Sequence, residues 1–506
     1  MNKKVALSLI ILLSITSCVS SPAAPTLQPT STITWKDVIW PTAISPTYTS
    51  TPISNDTPTA IPTPAIVEPT LPPVSVSSLQ PGIYPVFSGS LMNGWFVENK
   101  FSGESQSFVK LSDTGGLFSP DGQSIIFMDN NTLWEYSFFT GEKRKIPQPD
   151  IGNSEDDWSG SWSPDGRYLV YAVRASYKAS NGTVMVDTFP SIFISDLETN
   201  RFVQITNWIF TETMPIWSPD GNWIAFISDN NKQGAYFNVI NATDVYLFST
   251  SCLRQFETCQ SVSSKRLTNT GLTGNVPIIA WSPDSTQIAY VYEYYTGEND
   301  VYLVNLEGQI TRITNTQDSG VVALSWSPWG NALAFRILRD SGTQLQLFSI
   351  SGKSLTGISD ESDEDIGNPF WSPDGNFIAY TDNYSTYVSN TVKVYSIKQK
   401  KTFSFDTGDT NSYQFEAWLS VLPPFQVGAI LKVSPLGDNL HLHEQPSLSS
   451  AVIHGLPAGQ VITIIAGPVQ ADDYSWSEVK AGDLTGWVAQ VPLWYLANNP
   501  LVIGGN

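Results

Sequence analysis

The chain has 506 residues, 41% hydrophobic and 12% aromatic, with only 14% charged, so it can bury a sizeable core across two to four domains and global disorder is excluded. Forty-six acidic residues against 26 basic ones give a net charge of −20, which excludes a nucleic-acid partner held through its phosphates. The three histidines, His441, His443 and His454, all lie near the C-terminus, so the body of the chain holds neither a Ser-His-Asp triad nor a multi-histidine metal site.

Lys3 and Lys4 precede an apolar run from Val5 to Ile15, broken only by two serines. Such a run is too short to cross a hydrocarbon core of about 30 Å, so residues 1–17 read as a signal peptide. It ends Ile15-Thr16-Ser17-Cys18, which resembles the bacterial lipobox. The resemblance implies cleavage before Cys18, acylation of its sulfur and a stable membrane anchor. Residues 18–81 follow as a tether. Of the 63 residues from Val19 to Pro81, 34 are Pro, Thr or Ser and only Lys36, Asp37, Asp56 and Glu68 are charged. That composition cannot bury enough surface to offset its ordering entropy, so a disordered, polyproline-biased spacer is expected.

Residues 82–425 carry an internal repeat. An aromatic residue followed by Ser-Pro, usually with Asp-Gly, starts at Phe118, Trp162, Trp217, Trp281, Trp326 and Trp371. The Ser-Pro-Asp-Gly segment is turn chemistry: Pro presets φ, Asp bonds to nearby backbone and Gly accepts φ > 0. After each turn, Ile125 and Phe127, Leu169 and Tyr171, Ile224 and Phe226, and their later counterparts alternate at period 2, the pattern of a strand with one buried face. Four short strands in about 45 residues make one propeller blade. The aromatic residue reads as packing between blades, and an Asp repeated in every turn reads as structural. The string Trp-Ser-Pro-Asp-Gly with Ile-Ala-Phe or Ile-Ala-Tyr just beyond it resembles the WD-repeat-like blades of TolB-type propellers, with Phe118, Ser285 and Trp329 as departures. The resulting fold is all-β. Six units predict six blades; the segments Gly82–Ser112 and Tyr413–Trp418 either close the sixth or build a seventh.

Units two and three are long, with extra residues at 174–190, 228–241 and 249–265. The loop after the second strand lies on the usual binding face of a propeller, which nominates Asp129, Arg174, Asp229, Glu293, Asp340 and Asp382 as a ligand ring, against the plainer reading of turn residues. The run Asp360–Asp365 matches no calcium loop. Cys252 and Cys259, outside the cytoplasm and seven positions apart, are expected to form a disulfide.

Pro423-Pro424 marks a boundary. Residues 426–506 show short strands separated by Gly and Pro turns, a small β-barrel. The Pro446-Ser447 turn, the Leu456-Pro457-Ala458-Gly459 turn and the Gly486-Trp487-Val488 strand resemble a bacterial SH3 domain, with His443 where an Arg is usual. The resemblance implies binding to peptidoglycan or wall peptides, with Tyr474, Trp476, Trp487 and Trp494 as groove aromatics, unless Trp476 and Trp487 are core. His441 and His443 lack a third metal ligand.

The expectation is a lipid-anchored, monomeric envelope scaffold without cofactor or metal. It sits on the outer membrane or the outer face of the cytoplasmic membrane, its propeller holding proteins or peptides and its barrel the wall. A glycan or small-molecule sensor is the alternative, as is a propeller that partners a peptidase. The chain itself has no Gly-x-Ser-x-Gly elbow, so it is not expected to be an enzyme.

Overall fold

The structure, a computed structural model, describes residues 82–89, 94–97, 116–137, 140–151, 158–178, 184–186, 189–206, 210–229, 243–269, 274–294, 299–315, 319–339, 342–359, 366–382, 391–406, 413–472 and 474–498. The expected signal peptide, Cys18 and the tether lie outside the described residues, as do Asp340 and the acidic run 360–365.

Each of the six motifs opens an antiparallel four-stranded unit, two of them joined by one parallel bridge. Blade two, for example, runs Ser159–Trp162, Tyr168–Val173, Ser191–Asp196, Arg201–Gln204. Blade three runs Glu212–Trp217, Trp223–Ser228, Asp244–Ser249, Lys265–Arg266, and blade four Gly274–Trp281, Gln287–Tyr294, Asn299–Asn305, Ile310–Arg312. Beyond the six lies a seventh sheet, in which Tyr413–Val421 pairs with Gly82–Gly89 and that strand with Gly94–Val97. The two ends of the repeat region therefore build a further sheet rather than completing the sixth. It carries no Ser-Pro-Asp-Gly turn because the chain leaves it after Val421 for the barrel, and its next strand comes from the other end of the sequence.

Apolar clusters close the circuit. Ile126 of blade one packs with Leu169 and Tyr171 of blade two, and Val170 and Ile194 with Ile224 and Phe226 of blade three. Ala225 and Leu247 meet Ile288 and Tyr290, Val291 meets Leu333 and Phe335, and Ala334 meets Ile378 and Tyr380. Ala379 and Val394 then meet Phe415 of the seventh sheet, whose Val86 and Leu419 return to Ile125 and Phe127 of blade one. The second strands are thus buried on both faces, not one: Ile126, Val170, Ala225, Ala289, Ala334 and Ala379, which the alternation placed outward, are 0% exposed. Each sheet is sandwiched between two neighbours, and each large apolar side chain so buried contributes about 1.5–3 kcal/mol.

The motif also locks neighbours by hydrogen bonds. The indole nitrogens of Trp162, Trp281, Trp326, Trp371 and Trp418 donate to the carbonyls of Leu117, Ile216, Ala280, Ser325 and Phe370 in the preceding sheet, at 3.0–3.2 Å. In the turns, the Ser119, Ser163, Ser218, Ser282 and Ser372 hydroxyls donate to Asp121, Asp165, Asp220, Asp284 and Asp374 at 2.5–2.6 Å. Asn331 accepts from Ser327 where Trp329 displaces the Asp. Gly122 needs its position twice over: its φ is +69°, and a Cβ there would lie 2.2 Å from the Ser420 carbonyl oxygen of the seventh sheet.

The long insertion of blade three folds into a 3-10 segment, Thr250–Ser261, closed by a Cys252–Cys259 disulfide. Phe256 stacks on Tyr168, and Glu257 pairs with Arg201, so the insertion clamps blade three to blade two. The C-terminal barrel is a seven-stranded sheet in the order Val452–Leu456, Leu440–His443, Leu484–Ala489, Tyr474–Ala481, Val461–Ala471, Ile430–Val433, Tyr495–Ala497. Its core is built on Leu431, Leu442, Ile462, Val479 and Tyr495 and takes in Leu422 and Phe425 from before residue 426.

Candidate functional site

The residues nominated on the loop face follow equivalent second strands. Asp129, half exposed, pairs with Lys143 at 3.0 Å. Asp382 pairs with Lys393 at 3.2 Å. Asp229 is buried and accepts from the Thr211 backbone at 3.0 Å. Arg174 and Glu293 are half-buried. None of the described ones lines the cavity found beside the barrel.

That cavity, of about 300 Å³, opens on the opposite side, between the barrel and the motif turns of blades three and four. Tyr474, Trp476 and Trp494 all line it; Trp487 does not, and packs beside Trp476, Ala489 and Val491 instead. Trp476 is both core and wall: it is 1% exposed, its indole donates to the Ala471 carbonyl at 2.9 Å, and its rim meets the cavity. Trp494 sits on a short 3-10 turn, Pro492–Trp494, clasped to a second one, Pro435–Gly437. Ser434 holds the clasp, donating from its hydroxyl to Leu493 and from its backbone to Trp494. The approach is so close that a Cβ on Gly437 would fall 2.6 Å from the Trp494 carbonyl oxygen. Leu448 is set in the wall by Asp472, which accepts from its backbone and from the Ser447 hydroxyl. These bonds hold the exposed Asp472 carboxyl below its ordinary range.

His441 and His443 reach the same space, their ring centres 5.9 Å apart, and His443 stands edge-on to Trp476 at 5.2 Å. His443 is buried, with Nδ1 facing the Ser450 carbonyl at 3.3 Å. A carbonyl accepts, so Nδ1 is the donor of this contact. Among the described residues no group of three or more His, Cys, Asp or Glu is placed to hold a metal.

The propeller's share of the wall was not expected. It comprises Pro219 and Asp220 of blade three and Pro283, Asp284 and Ser285 of blade four, facing Asp438 and Asn439 of the barrel. The Ser285 hydroxyl accepts from the Asp220 backbone at 3.0 Å, which ties the two turns together. Burial opposes the charge on Asp284, but hydrogen bonds from Ser282 and Thr286 outweigh it and hold the carboxyl below its ordinary range. The signal in the sequence was Ser285 itself: a non-glycine at the turn's positive-φ position (+58°) marks a turn with a second duty. The repeated Asp carried no such mark, because every repeat uses it for its own turn.

Residues 268–398 match the family model described as TolB beta propeller domain, residues 163–233 that of the dipeptidyl peptidase IV N-terminal region, and residues 438–493 that of the bacterial SH3 domain. Among curated proteins, the chain is similar to the uncharacterized peptidase YuxL of Bacillus subtilis, with 27% identity over 43% of this chain and 29% of that protein. It is similar to dipeptidyl-peptidase 5 of Porphyromonas gingivalis, with 26% identity over 40% and 34%. It is also similar to the Tol-Pal system protein TolB of Francisella tularensis, with 25% identity over 50% and 51%. The chain spans about a third to a half of the length of these relatives. The repeated turns, the circuit of sheets and the separate barrel agree with these matches: the chain carries a TolB-like β-propeller and a C-terminal bacterial SH3 domain.

Proposed function

We propose that this chain is an extracytoplasmic binding and scaffold protein of the cell envelope, anchored through Cys18, with the propeller engaging proteins or peptides and the barrel engaging the cell wall. The observation that carries the reading is the cavity on the barrel, where Tyr474, Trp476 and Trp494 converge with His443. Concave, mostly apolar sites with a few fixed polar groups are ligand sites. The signal-like N-terminus and the Pro-, Thr- and Ser-rich segment after Cys18 support export and tethering. A tether raises the local concentration of both modules at the wall, so individually weak contacts suffice.

The role proposed is binding without hydrolysis. The only histidines are in the barrel, and Asp121, Asp165, Asp220, Asp284 and Asp374 each accept from the serine of their own turn. The match of residues 163–233 to a peptidase N-terminal region supports a second reading, a propeller that presents substrates to a separate peptidase. Co-sedimentation of the full chain with purified peptidoglycan sacculi tests the first reading, and Trp494→Ala is expected to weaken it. A chain that stays in the supernatant at low salt, or that cleaves peptides unaided, overturns it.

A further inference from the structure

Carboxylates from both modules line the cavity. Asp220 and Asp284 come from the propeller and Asp438 from the barrel, and no Lys or Arg lines it. The acids are fixed in advance. Asp220 accepts from Ser218 and Asn222, Asp284 from Ser282 and Thr286, and Asp438 from the Ala458 backbone. Little reorganisation is then needed when a ligand arrives.

The barrel also contributes a buried ring. His443 is 5% exposed and lines the cavity, and its Nδ1 is turned to the Ser450 carbonyl. The space therefore offers carboxylates from both modules beside the rings of Tyr474 and Trp494, and aromatic faces attract cations. Both features favour a positively charged donor, and a volume of about 300 Å³ admits a side chain rather than a polymer.

We infer that this composite cavity binds the side-chain ammonium of a wall stem peptide, with the propeller turns supplying its counter-charge. The inference rests on the wall-binding reading above and narrows it to one chemical group. It also makes the site joint property of the two modules, since the barrel alone lacks Asp220 and Asp284.

The test uses the full chain and two preparations of sacculi, one with free amines and one with its amines acetylated. Acetylation is expected to weaken binding at least tenfold. The double variant Asp220→Asn with Asp284→Asn keeps an acceptor for each turn serine, and is expected to bind both preparations equally weakly. The matched variant Asp121→Asn with Asp374→Asn makes the same change in turns remote from the cavity and is expected to bind as the unaltered chain does, which separates lost charge from lost fold. Equal, tight binding to both preparations overturns the ammonium site and leaves wall binding standing. Unchanged binding by the Asp220/Asp284 variant overturns the propeller's part. Binding to neither preparation overturns the wall reading and this inference together, and capture of a soluble lysine-containing peptide under those conditions assigns the site to a protein ligand instead.

Discussion

Blades three and four close their outer edges in one way and blade two in another. In blade three, buried Asp244 accepts from Arg266 at 2.5 Å and from the Thr268 hydroxyl at 2.8 Å, and that hydroxyl accepts from the Val245 backbone. Blade four repeats the arrangement with Asp300, Arg312, Thr314 and Val301. Blade two keeps only the threonine: Thr206 still accepts from Ile192, but Ser191 stands at the aspartate's place and Gln204 at the arginine's. The carboxyl that reaches Thr206 comes from next door, from Glu212 of blade three. Glu212 is 3% exposed, and its Oε2 and the Ser191 hydroxyl are buried without a hydrogen-bond partner among the described residues. Burial, reinforced by nearby Asp229, pushes the Glu212 carboxyl up to about 8. The same junction lacks a rung of the indole ladder, because the Trp217 nitrogen is buried without a partner while the Ser161 hydroxyl takes the Trp217 backbone. Blade two, which lacks the charge pair, is instead joined to blade three by the disulfide-closed clamp. A repeat therefore tolerates a missing polar lock where another element spans the same junction.

The comparison breaks most sharply at the lock itself. Asp300→Ala leaves Arg312 and Thr314 without their buried acceptor and is expected to cost about 3–5 kcal/mol in chemical denaturation, whereas Ser191→Ala in blade two is expected to cost less than about 1 kcal/mol. Next is pH. Glu212 binds its proton more tightly folded than unfolded, so its contribution is present at low pH and is lost as pH rises from about 4.5 to about 8. Glu212→Gln is expected to flatten stability over that window and to raise it by a few kcal/mol at pH 8.5 relative to the unaltered chain. An unchanged slope in denaturation melts at pH 5, 7 and 8.5 sinks this account. Replacing both Cys252 and Cys259 by Ser is expected to cost about 2–3 kcal/mol, with hydrogen exchange rising first in blades two and three. The smallest effect sharpens the ladder: Trp326→Phe loses an indole bond and Trp217→Phe does not, so the first is expected to cost about 1 kcal/mol more.

The repeat architecture was legible because each unit writes its own turn, as in Trp162-Ser163-Pro164-Asp165-Gly166, and local chemistry needs no knowledge of the rest. The seventh sheet was half legible: the segments Gly82–Ser112 and Tyr413–Trp418 were both visible as strand-like, but whether they close the sixth unit or pair with each other is decided by contacts across more than 300 residues, which leave no local trace. Burial on both faces of the second strands was hidden because Ala at 225, 289, 334 and 379 reads as neutral, while in the ring its small size is what lets the next sheet approach. At the site, aromatic residues of the barrel were readable and Asp220 and Asp284 were not. Their second role depends on which face of the propeller the barrel covers, a property of docking and not of either module.

The register of the seventh sheet sets how the molecule carries load. Gly82 is paired with Val421, so the segment before residue 82 and the barrel after residue 421 leave the ring from the same end of one antiparallel strand pair. A pull between them acts across that pair rather than along it, opening its hydrogen bonds one after another from Gly82–Val421 toward Gly89–Tyr413. The strand pair of the seventh sheet is thus loaded in the direction in which its hydrogen bonds open singly, and not all at once.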